Sequence, residues 1–320
     1  MEYHQLMLGW RVSATFMLAA TLFAQPRERH FSFEYKATVP ATTAAKTFRL
    51  WVPIPHDDEY QRIANLRIDS TSAYKVATDE LGNRIVSIES STPPSIKVTF
   101  DCARKEHLAP APTGAASLSD ADLSRWLKPD RMVPLDDTIR KWAREVVTAA
   151  GAHTDLEMAR AIYNHVVATV KYDKTGKGWG RGDIYYACDA RRGNCTDFHA
   201  IFIGYARAMG IPARFSIGFP IPSERGHGAI AGYHCWAEFY AQGIGWIPID
   251  ASEAAKDPSK REYFFGAHDE NRVEFTRGRD LQLTPRQAGE PLNYFIYPYA
   301  EVDGKPAENL DRVFSWQDQN

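Results

Sequence analysis

A thiol nucleophile, an imidazole base and a carboxylate that orients the base can together cleave or transfer an acyl group. This sequence offers one of each in a fitting setting. Cys195 stands in Arg191-Arg192-Gly193-Asn194-Cys195-Thr196-Asp197-Phe198. Apolar residues follow at Phe198, Ile201, Phe202, Tyr205 and Met209, spaced by three and four, so a core-facing helix is expected there. Gly210 and Pro212 stop that helix in the usual order. Cys195 then lies in the first turn, behind a flexible Gly193 and a capping Asn194. Unpaired amides and the positive end of the helix dipole gather there and favour a thiolate. A thiol with pKa of ~8.5 falls to roughly 3.5–7.5 in such sites.

The base and its orienter come from two runs, Gly232-Tyr233-His234-Cys235-Trp236-Ala237-Glu238-Phe239-Tyr240 and Ile244-Gly245-Trp246-Ile247-Pro248-Ile249-Asp250. Both are rich in aromatic and β-branched residues and are separated by Ala-Gln-Gly, so a hairpin is expected. With a loop of Ala241 to Gly243 and Gly243 left-handed, Tyr240 faces Ile244 and His234 faces Asp250. Opposed residues share a sheet face, and a carboxylate beside an imidazole fixes its tautomer and stabilises its cation. A one-residue slip would break the pair. Cys235, next to His234, is expected on the opposite face and in the core.

The order Cys…His…Asp, with Gly-Asn-Cys-Thr-Asp, Gly-Ile-Pro-Ala-Arg, His-Cys-Trp-Ala-Glu and Trp-Ile-Pro-Ile-Asp, resembles the transglutaminase-like superfamily. The strong match runs from about Gly193 to Ala255, within a motif core of 190–256. The resemblance implies a papain-like α+β fold, with the cysteine helix packed on an antiparallel sheet. It maps the nucleophile onto Cys195, the base onto His234 and the third member onto Asp250. It also implies that a ring or polar group upstream of the cysteine completes the oxyanion site, for which Trp179 and Tyr172 are the candidates beside Asn194. The backbone N–H of Cys195 is the other oxyanion donor. The thioester then passes to water, as in a peptidase or amidase, or to an amine, as in a transglutaminase. Trp236 and Glu238 share the face of His234 and make a candidate amine subsite, or else are cross-strand packing and ion-pair partners.

Other chemistries are weaker. Cys195 and His199 are one helical turn apart and could hold a metal with His234 and Asp250, but no second His or Cys pair has zinc spacing. No aspartate-rich calcium loop is present. No metal or cofactor is therefore expected. A binding module without turnover is the remaining alternative, against which stands the complete set of three residues. A net charge of −2 gives no pull toward nucleic acid, and the expected partner is a protein or peptide substrate, with the cell envelope as one source.

The elements that must position these residues are legible in the pattern of the whole chain. Its 320 residues, 44% apolar and 12% aromatic, suffice for about two domains. Residues 25–108 alternate with period two, as in Phe31-Ser-Phe-Glu-Tyr, Thr47-Phe-Arg-Leu-Trp-Val and Ser95-Ile-Lys-Val-Thr-Phe, and are expected to form a β-sandwich. Trp51-Val-Pro-Ile-Pro is an edge strand ended by proline or a binding ridge. A linker spans 109–122, and 123–320 is expected to be the catalytic domain. Helices are expected over Asp136–Ala150 and after the Thr154-Asp155 cap, with His165 on an apolar stripe. A glycine-rich loop runs from Thr175 to Asp183, a strand from Arg214 to Phe219, and a lid-like loop with His227 from Pro220 to Gly232. Tyr263-Phe-Phe-Gly and Tyr294-Phe-Ile-Tyr-Pro-Tyr read as closing strands, and Arg277 and Arg279 as solvated loop residues or an anion site. Arg11 followed by the apolar run Val12–Ala24 fits a cleaved signal peptide over 1–24 and is short for a membrane span, so a secreted or periplasmic protein is expected. Four cysteines allow one bridge among Cys102, Cys188 and Cys235, or none.

Overall fold

The computed structural model describes residues 25–41, 45–114 and 117–319. The expected signal peptide lies outside them. Seven strands come first: β1 Glu28–Thr38, β2 Phe48–Ile54, β3 Gln61–Ser70, β4 Tyr74–Thr78, β5 Arg84–Ser90, β6 Ser95–Lys105 and β7 His107–Leu108. Then come α1 Asp120–Trp126, α2 Asp137–Ala149, α3 Asp155–Thr169, β8 Lys171–Tyr172, α4 Ile184–Ala190, β9 Arg192–Gly193 and α5 Cys195–Ala208. The rest is β10 Ala213–Pro220, β11 His227–Ala229, β12 His234–Ala241, β13 Gly245–Ile249, α6 Ala251–Lys256, β14 Ala267–His268, β15 Arg272–Arg277, β16 Tyr299–Val302, β17 Lys305–Pro306 and β18 Asp311–Asp318.

The fold is α+β. Two five-stranded sheets, ordered β11-β18-β1-β6-β3 and β17-β16-β2-β5-β4, make the sandwich, and a four-stranded antiparallel sheet, β13-β12-β10-β15, carries α5. The alternation in β1 is direct: Phe31, Phe33 and Tyr35 are buried and the residues between them are not. The strand pairing crosses the expected boundary at residue 123. β18 pairs with β1 and β16 with β2, so the C-terminal limb completes both sandwich sheets. The reason is apolar surface. Phe33 meets Phe100 at 5.3 Å and Phe219 at 5.2 Å, and Phe219 meets Phe275 at 5.2 Å and Phe314 at 4.4 Å. One aromatic core therefore joins β1 and β6 to β10, β15 and β18, and the 123–320 segment does not close on itself.

Several local expectations change for comparable reasons. β2 lies between β16 and β5 with Trp51 buried, so the Trp51–Pro55 run is neither edge nor ridge. β16 pairs only with Phe48 to Trp51, so the buried Pro53 needs no N–H for a ladder partner on that side. Tyr263–Phe265 forms a turn with a single bridge from Phe265 to Ile249, and Tyr294–Tyr297 is loop; the strand that closes the catalytic sheet is β15. The Pro220–Gly232 segment is not a free lid. Its β11 pairs with β18, and the buried Arg29 guanidinium donates to the Pro222 and Glu224 carbonyls. α1 begins inside the expected linker, while Thr113 and Gly114 donate to the Gly243 carbonyl at the hairpin turn.

α5 starts at Cys195 as expected and is buried on every side from Cys195 through Arg207, because helices and the sheet surround it. Gly210 is left-handed beyond its end, where an L side chain is disfavoured. Among the described residues no helix is long and apolar enough to cross a membrane.

Candidate active site

Asn194 caps α5: its side chain accepts from the Thr196 N–H at 3.0 Å, and the Asp197 carboxylate accepts from the Asn194 N–H at 2.9 Å. This reciprocal box presents Cys195 at the first helical position, where its own N–H has no partner within the helix. Gly193 serves space rather than flexibility. A Cβ there would lie 2.2 Å from Asp197 Oδ2, and the residue pairs with Tyr172 in the parallel β8–β9 ladder.

The hairpin forms, but its register is offset by two from the expected one. Tyr240 faces Trp246 and Ala241 faces Gly245, with Gln242 to Ile244 as the loop. An offset of two preserves the face. Asp250, just past β13, therefore still reaches His234 at the start of β12, with Nε2 and Oδ2 2.7 Å apart. Asp250 Oδ1 also accepts from Ser252 Oγ at 3.0 Å and from the Glu253 N–H, capping α6. Arg272 Nη1 donates to its Oδ2 at 3.2 Å.

The Cys195 sulfur is the other group that acts on the His234 charge. Burial alone would disfavour every charge here. Burial lowers the His234 pKa, but the Asp250 carboxylate and the Cys195 sulfur outweigh it and raise it to about 10. Burial raises the Cys195 thiol, yet the Cys235 thiol and the His234 imidazole hold it well below the usual thiol range. Asp250 is held well below the usual carboxylate range, since His234 and Arg272 outweigh its burial. The arrangement stabilises a thiolate–imidazolium pair.

Cys235 lies in the core, as expected. It is fully buried, and its sulfur faces the first turn of α5, 3.8 Å from Thr196 Oγ1 and 3.7 Å from His199 Nδ1. The alternation of β12 holds: His234 packs with Trp236 on one face, and Cys235 shares the other with Phe239, which meets Phe202 of α5. All four cysteines are free thiols. His199 is buried between Cys235 and Asp250, its Nε2 3.7 Å from Asp250 Oδ1. Among the described residues, the trio of metal-type side chains that converges is His56, Asp58 and Glu274, with Arg277 bonded to Glu274 at 2.8 Å.

Of the remaining candidates, Tyr172 is half-buried, packs against Phe198 and has the Lys256 ammonium 4.2 Å from its ring centre. Trp179 lies on the glycine-rich loop. Asp197 accepts from Gly180 N at 2.7 Å and Gly182 N at 3.0 Å, and Arg279 donates to the Gly182 and Arg181 carbonyls, tying that loop to α5. Arg279 is thus an anchor rather than a solvated residue or an anion site, and Arg277 ends β15. Tyr233 Oη bonds Asn194 Nδ2 and Thr196 Oγ1, both at 3.0 Å, and reaches Tyr294. Trp236 and Glu238 do not line a cleft. Trp236 is 1% exposed under the Arg272 guanidinium, and Glu238 is held by Arg214 at 2.7 and 3.0 Å. Both take the packing and ion-pair places that were the alternative to an amine subsite. His165 is half-buried against Tyr205 rather than enclosed in the core. It borders a cavity of about 580 Å³ behind α5, with Trp142, Cys188 and Ile201, away from Cys195.

Asp197, Arg272, Tyr233 and Tyr294 were not assigned roles from sequence. Asp197 alone carried a signal, an acid three residues after the cap.

Residues 140–251 match the model of the transglutaminase-like superfamily. A Haemophilus influenzae protein without a described function is 28% identical over 327 residues, covering 88% of this chain and 87% of that one. A structure from Cytophaga hutchinsonii, provisionally named a cysteine protease, covers 92% of this chain and 93% of its own at 18% identity, with a TM-score of 0.62. The periplasmic domain of TgpA from Pseudomonas aeruginosa is more distant, at 14% identity and a TM-score of 0.40 over 74% of this chain. Residues 140–251, with the cysteine helix and its sheet, thus match the transglutaminase-like superfamily, within a fold shared with the Cytophaga hutchinsonii structure.

Proposed function

We propose that this chain is a cysteine-dependent acyl enzyme that cleaves peptide or side-chain amides through a thioester. Cys195 is the nucleophile, His234 the general base and acid, and Asp250 the group that orients it. The observation that carries this reading is the 2.7 Å contact of His234 with Asp250, set beside Cys195 at the start of α5. The thiolate attacks the amide carbonyl, and the Cys195 N–H at the helix start faces the developing oxyanion. Trp179 and Tyr172 are the side chains proposed to complete that oxyanion site. The imidazolium gives its proton to the leaving amine as the C–N bond breaks. Neutral His234 then takes a proton from the water that attacks the thioester and keeps it as the thiolate departs, which restores the ion pair.

Hydrolysis is the favoured outcome over transfer to an amine. An amine competing with water at about 55 M must be held in place, since oriented groups reach effective molarities of roughly 10⁵ M. Glu238, the carboxylate expected to hold it, is committed to Arg214. The substrate is a protein or peptide, of the cell envelope if the Val12–Ala24 run exports the chain. The test offers a glutamine-containing peptide library with a fluorescent amine, read by mass spectrometry. Cleavage or ammonia release that is lost in Cys195→Ala is expected. Dominant amine incorporation would make the chain a transglutaminase, and no turnover of any amide would leave a binding module.

A further inference from the structure

Cys235 is a second buried thiol that the acyl chemistry does not use. It follows His234 directly on β12, opposite Ile217, with its sulfur against the first turn of α5. That turn begins with Cys195, directly before Thr196, so the Cys235 sulfur lies against the turn that carries the nucleophile. Two sulfurs that meet at this one turn need little movement to bond. The remaining cysteines are placed elsewhere: Cys102 is buried on β6, and Cys188 lies behind α5 beside Tyr205 Oη at 3.5 Å.

We propose that Cys195 and Cys235 form an oxidisable pair, a modification site for hydroperoxides that closes a reversible Cys195–Cys235 disulfide and switches the nucleophile off. The thiolate of Cys195 is the group a peroxide oxidises first, because susceptibility follows thiolate character. Its sulfur attacks one peroxide oxygen, the O–O bond breaks, and the sulfur loses two electrons to become a sulfenic acid. The departing alkoxide or hydroxide takes its proton from the His234 imidazolium. The Cys235 sulfur then attacks the Cys195 sulfur. The S–O bond breaks, the S–S bond forms, and the hydroxyl leaves as water with the Cys235 proton. One hydroperoxide and two thiols thus give one disulfide, one alcohol or water, and one further water. Cys195 is 2% and Cys235 0% exposed, a setting that admits a small oxidant more readily than a bulky thiol. Without a neighbouring thiol a sulfenic acid advances to sulfinic acid, which ordinary thiols do not reverse. Only the effect on activity rests on the proposed nucleophilic role of Cys195; the bond formation does not.

The experiment treats the purified full chain with a small excess of hydrogen peroxide and reads intact mass and non-reduced peptide maps. The expected product is two hydrogens lighter, links the Cys195 and Cys235 peptides, and returns to the starting mass and amidase rate with dithiothreitol. Cys235→Ala, with Cys235→Ser as a second variant should the first fold poorly, is expected to gain oxygen on Cys195 without a bridge and to resist rescue. Wild type that gains two oxygens on Cys195 as the variants do, that bridges through Cys102 or Cys188, or that stays unmodified, overturns the proposal. The mass readout needs no turnover. A bridge in a protein without amidase activity would therefore refute the proposed function alone, and an active enzyme without a bridge would refute this inference alone.

Discussion

At the scale of single residues, Asp250 sets the electrostatics of the site. It bonds His234 and Arg272 through one oxygen and Ser252 and the α6 start through the other, so it is an anion with every lone pair in use. With His234 raised to about 10 and Cys195 well below its ordinary range, the ion pair persists across neutral pH. The sign follows from each group. Cys195 is lost as a thiolate when pH falls through its lowered pKa, and His234 is lost as an acid when pH rises past about 10. Iodoacetamide labelling of Cys195 should therefore be fast and nearly level through neutral pH. In His234→Ala it should slow and follow an ordinary thiol near ~8.5. Labelling of wild type that already tracks such a thiol, with no effect of His234→Ala, would remove the ion pair from the account. Glu238 shows the contrasting case, a buried carboxylate used for stability. Burial raises its pKa, but Arg214 and His107 outweigh this and lower it. A lowered carboxylate contributes above its unfolded pKa and loses that contribution as pH falls through the folded value. Glu238→Gln should cost about 3–5 kcal/mol at neutral pH, since it leaves Arg214 without its partner. In urea titrations the gap from wild type should narrow below about pH 4, and a gap that widened in acid would contradict the sign.

At the scale of elements, the start of α5 was legible because its capping chemistry is local. Asn194 with Asp197 three residues on, the apolar spacing after Phe198, and Gly210 all act within a few residues of chain. The hairpin was legible in its two strands and in its left-handed Gly243, but its register came out two residues off. Pattern with period two cannot distinguish offsets that keep the face, and for that same reason the error left His234 and Asp250 together. Arg272 and the role of Cys235 were not legible, because both depend on what packs across the sheet from distant chain. The glycine-rich loop shows how an element is positioned by one side chain. Asp197 accepts from Asn194, Gly180 and Gly182 at 2.9, 2.7 and 3.0 Å, so it holds the helix cap and the Trp179 loop at once. Asp197→Ala should leave buried N–H groups unpaired and destabilise the protein by about 1–3 kcal/mol. Hydrogen exchange should rise at Gly180 and Gly182 and at the α5 start, with slower labelling of Cys195. Faster exchange confined to α5 would show that another contact holds the loop.

At the scale of the whole molecule, the sandwich and the catalytic sheet share a core that the linear order of the sequence conceals. The period-two strands of residues 25–108 were legible, but their partners β16 and β18 lie roughly 250–290 residues away and carry the pairing that completes each sheet. Phe219 sits where these parts meet. Its ring contacts Phe33 of β1, Phe275 of β15 and Phe314 of β18 at 5.2, 5.2 and 4.4 Å, and it is fully buried. β10, which carries it, also pairs with β12, placing Gly218 opposite His234. A sandwich that unfolded alone would expose these rings and strip β10 and β15 of their apolar cover. The expected behaviour is a single cooperative transition for both parts. Phe219→Ala should lower stability by about 3–5 kcal/mol. It should shift the midpoint equally whether followed by Cys195 labelling in the catalytic part or by amide exchange in β1 and β6. Separate midpoints for the two probes in wild type, or a Phe219→Ala effect seen by one probe only, would mean that the sandwich and the catalytic sheet fold as independent units despite the core between them.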